Sequence, residues 1–294
     1  MKAKHGLIIS LAAFLTTAVL RVLQYIFIID NSGLFSINSV FDKVLSVSLY
    51  GMIGVLALIA VLWLFIGDKT ESYANGLLNN SGAGCVSITA AAVLLFDSGV
   101  RLGQMMANKT LDWVAILSLA SALYFALLAF DAFAKRTSRV TAVLGFFPPI
   151  YICVYGVKAF FDSFEKVHVS ESKLEILTIC ALAMMLISFS CSKAGVNISK
   201  KRLGAFTMLY ISICAPTSLA KLIAFAFGKV TQLYITEFVF ALFEIAVAVL
   251  GVIILAKLDS AQAPVVKNEE VVTDMSDLDL YIDQIPEEKE EISE

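Results

Sequence analysis

The stretch LYITEFVFALFEIAVAVLGVIILA, residues 233–256, decides the class of this protein. It holds two acids, Glu237 and Glu244, and no basic residue. An α-helix of about 20 mainly apolar residues spans the hydrocarbon core of a bilayer. The stretch is therefore predicted to cross a membrane as a helix, with both carboxyl groups, seven residues apart, on one face.

Similar apolar stretches recur along the whole chain of 294 residues, which is 59% hydrophobic and 16% charged and has a mean hydropathy of +0.84. A soluble domain carries about 25% charged residues. The sequence therefore predicts an all-α fold, a polytopic transmembrane helical bundle of about eight spans. The predicted spans are residues 6–29, 44–66, 85–107, 111–133, 140–161, 174–191, 204–228 and 233–256.

The composition divides the chain into a transmembrane helical domain, residues 1–257, and a tail, residues 258–294. The tail holds twelve acids and two bases. So charged a segment buries too little apolar surface to offset its ordering entropy, which predicts disorder. One apolar patch is predicted to dock onto basic loops or a cytoplasmic partner, and plain solvation is the alternative. Its residues are Leu278, Leu280, Tyr281 and Ile282.

The distribution of Lys and Arg predicts the orientation. With the N-terminus inside, thirteen of these residues fall on the cytoplasmic side and six outside. Cytoplasmic loops of membrane proteins carry the excess of positive charge. The sequence thus predicts a multi-pass protein of the cell membrane with both termini in the cytoplasm, an uncleaved first helix, and the lipid bilayer as its main partner.

One cation recurs near the outer half of each odd-numbered span. These cations are Arg21, Arg101, Lys158 and Lys221. The spacing suggests a helical hairpin used four times in tandem. The excess of lysine in the inner loops would produce a similar spacing without any true repeat, so both interpretations stay open.

Ionisable side chains at bilayer depth are costly, so they pair, face the bundle interior or line a wet cavity. Asp97, Arg101 and Gln104 share one helical face, and Lys221 is expected to pair with Glu237 or Glu244. The alternative is that these residues snorkel to the interface or only join helices together. The predicted ligand-binding residues are Arg21, Gln24, Asp97, Arg101, Gln104, Lys221, Glu237 and Glu244.

Prolines interrupt two of the predicted spans. Pro148 and Pro149 lie about ten residues into the fifth span, and Pro216 precedes Lys221 by five residues. Proline lacks a backbone N–H and kinks a helix. Broken membrane helices often mark binding sites, because their free carbonyls must line protein or water.

Residues typical of catalysis and metal binding are scarce. The only histidines are His5 and His168, and the five cysteines have no C-x-x-C spacing, so they are interpreted as small buried side chains. No protease, hydrolase or nucleotide-binding motif occurs. The sequence therefore predicts no metal, no cofactor, no nucleic-acid partner and no enzymatic activity, with an intramembrane enzyme as a remote alternative.

The segment Leu20-Arg21-Val-Leu-Gln24, followed by Asp30-Asn-Ser-Gly33-Leu-Phe35, forms a short motif. It resembles the pattern R-x-x-Q and then D-x-x-T-G-[LF] at the first helix and loop of uncharacterised polytopic membrane proteins of Gram-positive anaerobes. Ser32 stands in place of the usual Thr. The resemblance implies a multi-pass protein of a bacterial cytoplasmic membrane, and it implies no particular activity.

Two functions follow as expectations. The first is non-enzymatic binding or transport of a small polar or charged solute through the intramembrane charges. The second is a membrane scaffold or sensor that acts through its acidic tail. The oligomeric state stays open.

Overall fold

The protein is built from long apolar helices, seen here in a computed structural model. The structure describes residues 3–27, 40–66, 71–72, 77–136, 138–164, 169–194, 198–228 and 235–258. All of these residues belong to one compact unit, Met1–Ala263. The predicted docking patch at Leu278, Leu280, Tyr281 and Ile282 lies outside the described residues.

Ten α-helices, one π-helical turn and a two-residue strand pair follow each other along the described chain. They are α1 (Ala3–Phe27), α2 (Val40–Ile66), β1 (Glu71–Ser72), α3 (Ser81–Asn108), α4 (Trp113–Ala134), α5 (Arg139–Leu144), α6 (Phe147–Phe164), α7 (Val169–Lys193), β2 (Ile198–Ser199), α8 (Lys200–Cys214), the π-turn (Ala215–Leu219), α9 (Ala220–Ala226) and α10 (Ile235–Leu258). β1 and β2 pair antiparallel and join two loops.

Eight segments of the described chain are long and apolar enough to cross a membrane. The predicted all-α bundle of eight spans is confirmed, and its boundaries differ from the prediction by a few residues. The fifth segment, Arg139–Phe161, consists of α5 and most of α6, and the seventh, Lys200–Ala226, consists of α8, the π-turn and α9. Pro148 and Pro149 lie beside the first interruption, and Pro216 lies within the second.

Capping side chains define where several helices begin and end. Asn80, Asp112 and Ser138 each accept a hydrogen bond from a backbone N–H in the first turn of α3, α4 and α5. Lys109 and Lys135 end α3 and α4 in the left-handed conformation. Such caps satisfy backbone groups that a helix terminus leaves open.

α10 is the most enclosed of the spans. In the most apolar 18-residue stretch of each span, 67% of the residues of α10 are buried, against 33% in α1 and 28% in α2. α10 packs against α3 and α8, and α8 also packs against α1, α2 and α7. The stretch that predicts the fold is therefore also the centre of the bundle.

Apolar side chains outside the core are the rule, because the outer faces of the helices suit lipid rather than water. Three cysteines that were interpreted as buried, Cys85, Cys153 and Cys180, are exposed, and Cys191 is half-buried. Only Cys214 is fully buried. The interpretation was wrong for the first three, since an apolar side chain in a bilayer does not need protein to cover it.

Candidate functional site

Pro216 interrupts the α-helical hydrogen bonding of the seventh span, and the candidate site lies around this interruption. Proline has no N–H to give to the carbonyl of Ser212, four residues earlier. The hydroxyl of Thr17 in α1 lies 3.1 Å from that carbonyl and is buried. It also lies 2.7 Å from the carbonyl of Ala13 in its own helix, so the two carbonyls share one donor. α1 therefore compensates for the bond that Pro216 cannot make.

The π-turn that contains Pro216 places two hydroxyl groups toward neighbouring helices. Thr178 of α7 donates a hydrogen bond to Thr217, with 3.2 Å between the oxygens. Ser218 donates to the Oε2 atom of Glu244 in α10. π-turns inside α-helices are uncommon and are frequently found at functional sites.

Glu244 is the acid at the centre of the site. Its side chain is buried, with 4% of the residue exposed. Within the described part of the chain, its Oε1 atom is buried and has no hydrogen-bond partner. The hydroxyl of Tyr210 donates to the backbone carbonyl of Glu244, at 2.6 Å, and not to its carboxyl group.

Lys221 in α9 and Glu237 near the start of α10 form an ion pair. Nζ of Lys221 lies 3.4 Å from Oε2 of Glu237, and the two side chains are 20% and 33% exposed. Of the two partners expected for Lys221, the structure brings Glu237 into direct contact. Glu244 lies two helical turns further along α10.

Arg21 contributes a second cation, which is held by residues of α1 and α2. Its Nη1 atom donates to Oε1 of Gln24 at 2.8 Å, and Nε2 of Gln24 donates to the hydroxyl of Ser46 at 3.1 Å. The guanidinium lies 5.0 Å from the centroid of the Tyr25 ring. This is the R-x-x-Q half of the sequence motif; the half from Asp30 to Phe35 lies outside the described residues.

A cavity of about 30 Å³ lies between α1, α7, the π-turn, α9 and α10, and its lining includes Arg21, Ser218, Lys221, Glu237 and Glu244. We call it the Glu244 cavity. Such a volume has room for one or two water molecules. Two cations and three carboxyl groups contribute to its wall, namely Arg21, Lys221, Glu175, Glu237 and Glu244.

Asp97 and Arg101 lie in a separate cluster between α3, α4 and α6. Nε of Arg101 is 2.9 Å from both carboxylate oxygens of Asp97. Ser118 and Tyr151 also donate to Asp97, at 3.1 and 3.3 Å. Asp112 continues the cluster, 3.9 Å from Nη1 of Arg101.

Lys158 completes this cluster, with its Nζ atom 3.2 Å from Asp112. We call the whole set the Asp97 network. Gln104, which was expected beside Asp97 and Arg101, is exposed. It stands four residues before the end of α3, beyond the part of this face that other helices cover.

A stacked pair of aromatic rings separates the two clusters. The rings of Tyr155 and Phe240 are 3.9 Å apart at an angle of 16°. The guanidinium of Arg101 lies over Tyr155, 5.5 Å from its centroid, and Phe240 lines the Glu244 cavity. The structure thus divides the predicted residues into two groups and leaves Gln104 outside both.

Sequence reasoning missed several residues of these clusters. Glu175 lies one residue inside the predicted sixth span, a position typical of an interfacial charge. In the structure α7 already begins at Val169, and Glu175 lines the cavity. Ser218 is two residues after Pro216, so the break in the span was the available signal. Asp112 lies one residue inside the predicted fourth span, where the sequence gives no indication of its contact with Arg101 of α3.

A further ion pair lies near the opposite ends of the spans. Nζ of Lys193 is 3.3 Å from Oδ2 of Asp131, and both side chains are buried. Asp131 also accepts from the backbone N–H of Ser138, at 3.2 Å. Lys193 is one of the thirteen cations on the predicted cytoplasmic side, and its position just after a predicted span does not reveal a buried partner on another helix.

Comparison of the chain with family models, with curated proteins and with solved structures finds no match. The two clusters are therefore interpreted from their own geometry.

Proposed function

We propose that this chain is a non-enzymatic integral membrane protein that binds and transports a small charged solute through the Glu244 cavity. One observation carries the proposal. A carboxylate oxygen of Glu244 is buried without a hydrogen-bond partner among the described residues, in a cavity whose wall holds four further charged groups. A buried polar atom of this kind is an exception that asks for an explanation.

A purely structural role explains this arrangement poorly. Polar contacts between membrane helices contribute on average about 0.6 kcal/mol, whereas one ionisable residue at the centre of a span costs about 3 kcal/mol. A carboxyl group that only joins helices is most stable when both of its oxygens accept hydrogen bonds, and one oxygen of Glu244 accepts none among the described residues. A group kept ready for a ligand would have such an oxygen.

The size of the cavity selects the solute. A volume of about 30 Å³ admits one or two water molecules or an inorganic ion of that size. The wall carries both signs of charge, so ions of either sign find a partner there. We therefore expect a small ion, and a larger organic solute would require the helices to separate.

The break in the seventh span supports movement as well as binding. Discontinuous helices near the middle of the membrane form the binding sites of many transporters, and they bend where backbone hydrogen bonds are missing. Here the π-turn joins α8 to α9, and it carries Ser218, which contacts Glu244. A change of angle at this turn would move Ser218 and Lys221 relative to α10.

We further propose that the protein lies in a bacterial cytoplasmic membrane with both termini in the cytoplasm. The supporting observations are the excess of positive charge on that side and the resemblance of the first helix. The Glu244 cavity would then face the outside. Cysteines introduced near Asn108 should react with an impermeant reagent in intact cells, and those near Arg136 only after permeabilisation; the reverse pattern contradicts this orientation.

Ion binding is tested by the thermal stability of the purified full chain. Choline chloride is replaced, at constant ionic strength, by the chlorides of lithium, sodium, potassium or ammonium, or by choline nitrate or formate. A ligand at a hundredfold excess over its Kd stabilises by about 2.7 kcal/mol, and each kcal/mol raises Tm by about 2–4 °C at this size. We expect one of these ions to raise Tm by roughly 5 °C or more.

Glu244→Gln should lose the shift in Tm that a cation produces, and Lys221→Met should lose the shift that an anion produces, because each variant removes the side chain whose charge is opposite to that of the ion. Lys158→Gln is the matched control, because it removes a cation from the Asp97 network and leaves the cavity intact, so it should keep the shift. If none of the ions raises the Tm of the natural protein, the proposed function is wrong.

A further inference from the structure

Glu244 lies deep in its span. It stands nine residues after the start of α10, about 14 Å along the helix axis. Its Oε2 atom accepts from Ser218, and its Oε1 atom is buried with no partner within the described ranges. The carboxyl group therefore has one oxygen fixed in place and one oxygen available.

Charged and titratable groups approach this carboxyl from every element packed around it. Lys221 already lies against Glu237, and the hydroxyl of Tyr210 is used by a backbone carbonyl. Among the residues that line the cavity, carboxyl groups outnumber cations by three to two. The groups around Glu244 are Arg21, Tyr25, Tyr155, Glu175, Tyr210, Cys214, Lys221 and Glu237.

One additional positive charge would balance the wall of the cavity, and the available volume limits what that charge can be. A metal cation needs several oxygen ligands around it and would lie among two cationic side chains. A proton needs only one oxygen, and the water that fits into the cavity can deliver it. The open Oε1 atom of Glu244 is such an oxygen.

We propose that Glu244 is a proton-exchanging site. A proton passes from water in the cavity to Oε1, which neutralises the carboxylate, and it returns to water when the group ionises again. Ser218 holds Oε2, so that the exchange takes place on the oxygen that the protein leaves open. The inference rests on the proposed function, since it makes the proton the species that is exchanged alongside the transported ion.

The π-turn ties this exchange to the movement of the helix. Ser218 belongs to the turn that joins α8 to α9, and Thr217 beside it accepts from Thr178 of α7. A change in the turn alters the distance between the Ser218 hydroxyl and the carboxyl. Protonation of Glu244 and the angle of the seventh span therefore influence each other.

The test is infrared difference spectroscopy of the full chain in lipid nanodiscs, titrated from alkaline to acidic pH in choline chloride. We expect a C=O stretching band of a protonated carboxylic acid that is lost in Glu244→Gln. Glu237→Gln is the matched control on the same helix and should retain the band. Subtracting the spectrum of each variant removes the signal of the acidic tail, which is common to all samples.

Ser218→Ala keeps the carboxyl group and guards against a misfolded Glu244→Gln. Loss of the hydrogen bond from Ser218 should move the band to higher frequency. If Glu244→Gln folds and keeps the whole band, or if the band does not move in Ser218→Ala, the inference is wrong.

The outcome separates the two proposals. A band that depends on Glu244, without any ion that raises Tm, supports the proton site and contradicts the proposed transport of a small ion. An ion that raises Tm through Glu244, without such a band, supports ion binding and overturns the proton site.

Discussion

The Asp97 network and the Glu244 cavity use the same kinds of side chains with opposite results. Asp97 accepts hydrogen bonds from Arg101, Ser118 and Tyr151, and it is 1% exposed. Glu244 is almost as buried, yet only Ser218 donates to its side chain among the described residues. A carboxyl group whose two oxygens both accept hydrogen bonds stabilises the positions of the helices. A carboxyl group with an oxygen that accepts none can still bind a ligand.

The largest expected effect separates the two regions by stability. Arg101→Ala leaves Asp97 buried without its cation, and breaking a buried ion pair from one side costs about 3–5 kcal/mol. The double variant with Asp97→Ala should lose less, since no uncompensated charge remains. The measurement is a thermal-stability cycle of the single and double variants. Additive losses would mean that the two side chains do not interact, and the contrast with Glu244 would disappear.

A smaller effect is expected when each carboxyl group is replaced by its amide. Asp97→Asn removes the partner of Arg101, so it should destabilise by at least about 2 kcal/mol. Glu244→Gln breaks no ion pair and keeps an oxygen for Ser218, so its change in stability should stay within about 1 kcal/mol. Tm values of the two variants in one lipid and buffer decide the matter. Equal losses would show that Glu244 is as structural as Asp97.

The smallest effect concerns the support of the π-turn. Thr17→Val removes the hydroxyl that compensates Ser212, which should cost about 1 kcal/mol because a buried carbonyl loses its donor. Thr16→Val is the matched control, since the Thr16 hydroxyl bonds only within its own helix and is exposed. The difference between the two Tm shifts measures the contact. Identical shifts would mean that α1 does not support the break.

Much of the fold could be predicted from single helices, and most of the site could not. The apolar runs fix the spans because each run satisfies its own backbone hydrogen bonds in lipid, whatever its neighbours do. Asp97 with Arg101 and Arg21 with Gln24 were also predictable, since each pair lies within one helix. The assignment of Lys221 to Glu237 and of Ser218 to Glu244 depends on how α9, the π-turn and α10 are placed in three dimensions.

The same distinction explains the failures. Helical periodicity places Gln104 beside Asp97, but it does not show that the neighbouring helices end before they cover Gln104. Glu175 and Asp131 become part of clusters only through partners on other helices.

The π-turn also has a genetic consequence. A π-turn holds one residue more than the α-helical turn it replaces, so losing the codon of Pro216 would allow this segment to close into a continuous α-helix. The helix after the deletion would keep nearly the same register, because a π-turn absorbs its extra residue, but the turn that places Thr217 against Thr178 and Ser218 against Glu244 would be lost. The reading frame and the apolar character of the span would survive such a deletion, while the cavity would not. Lineages that keep the cavity should therefore conserve the length of this segment more strictly than the identity of its apolar residues.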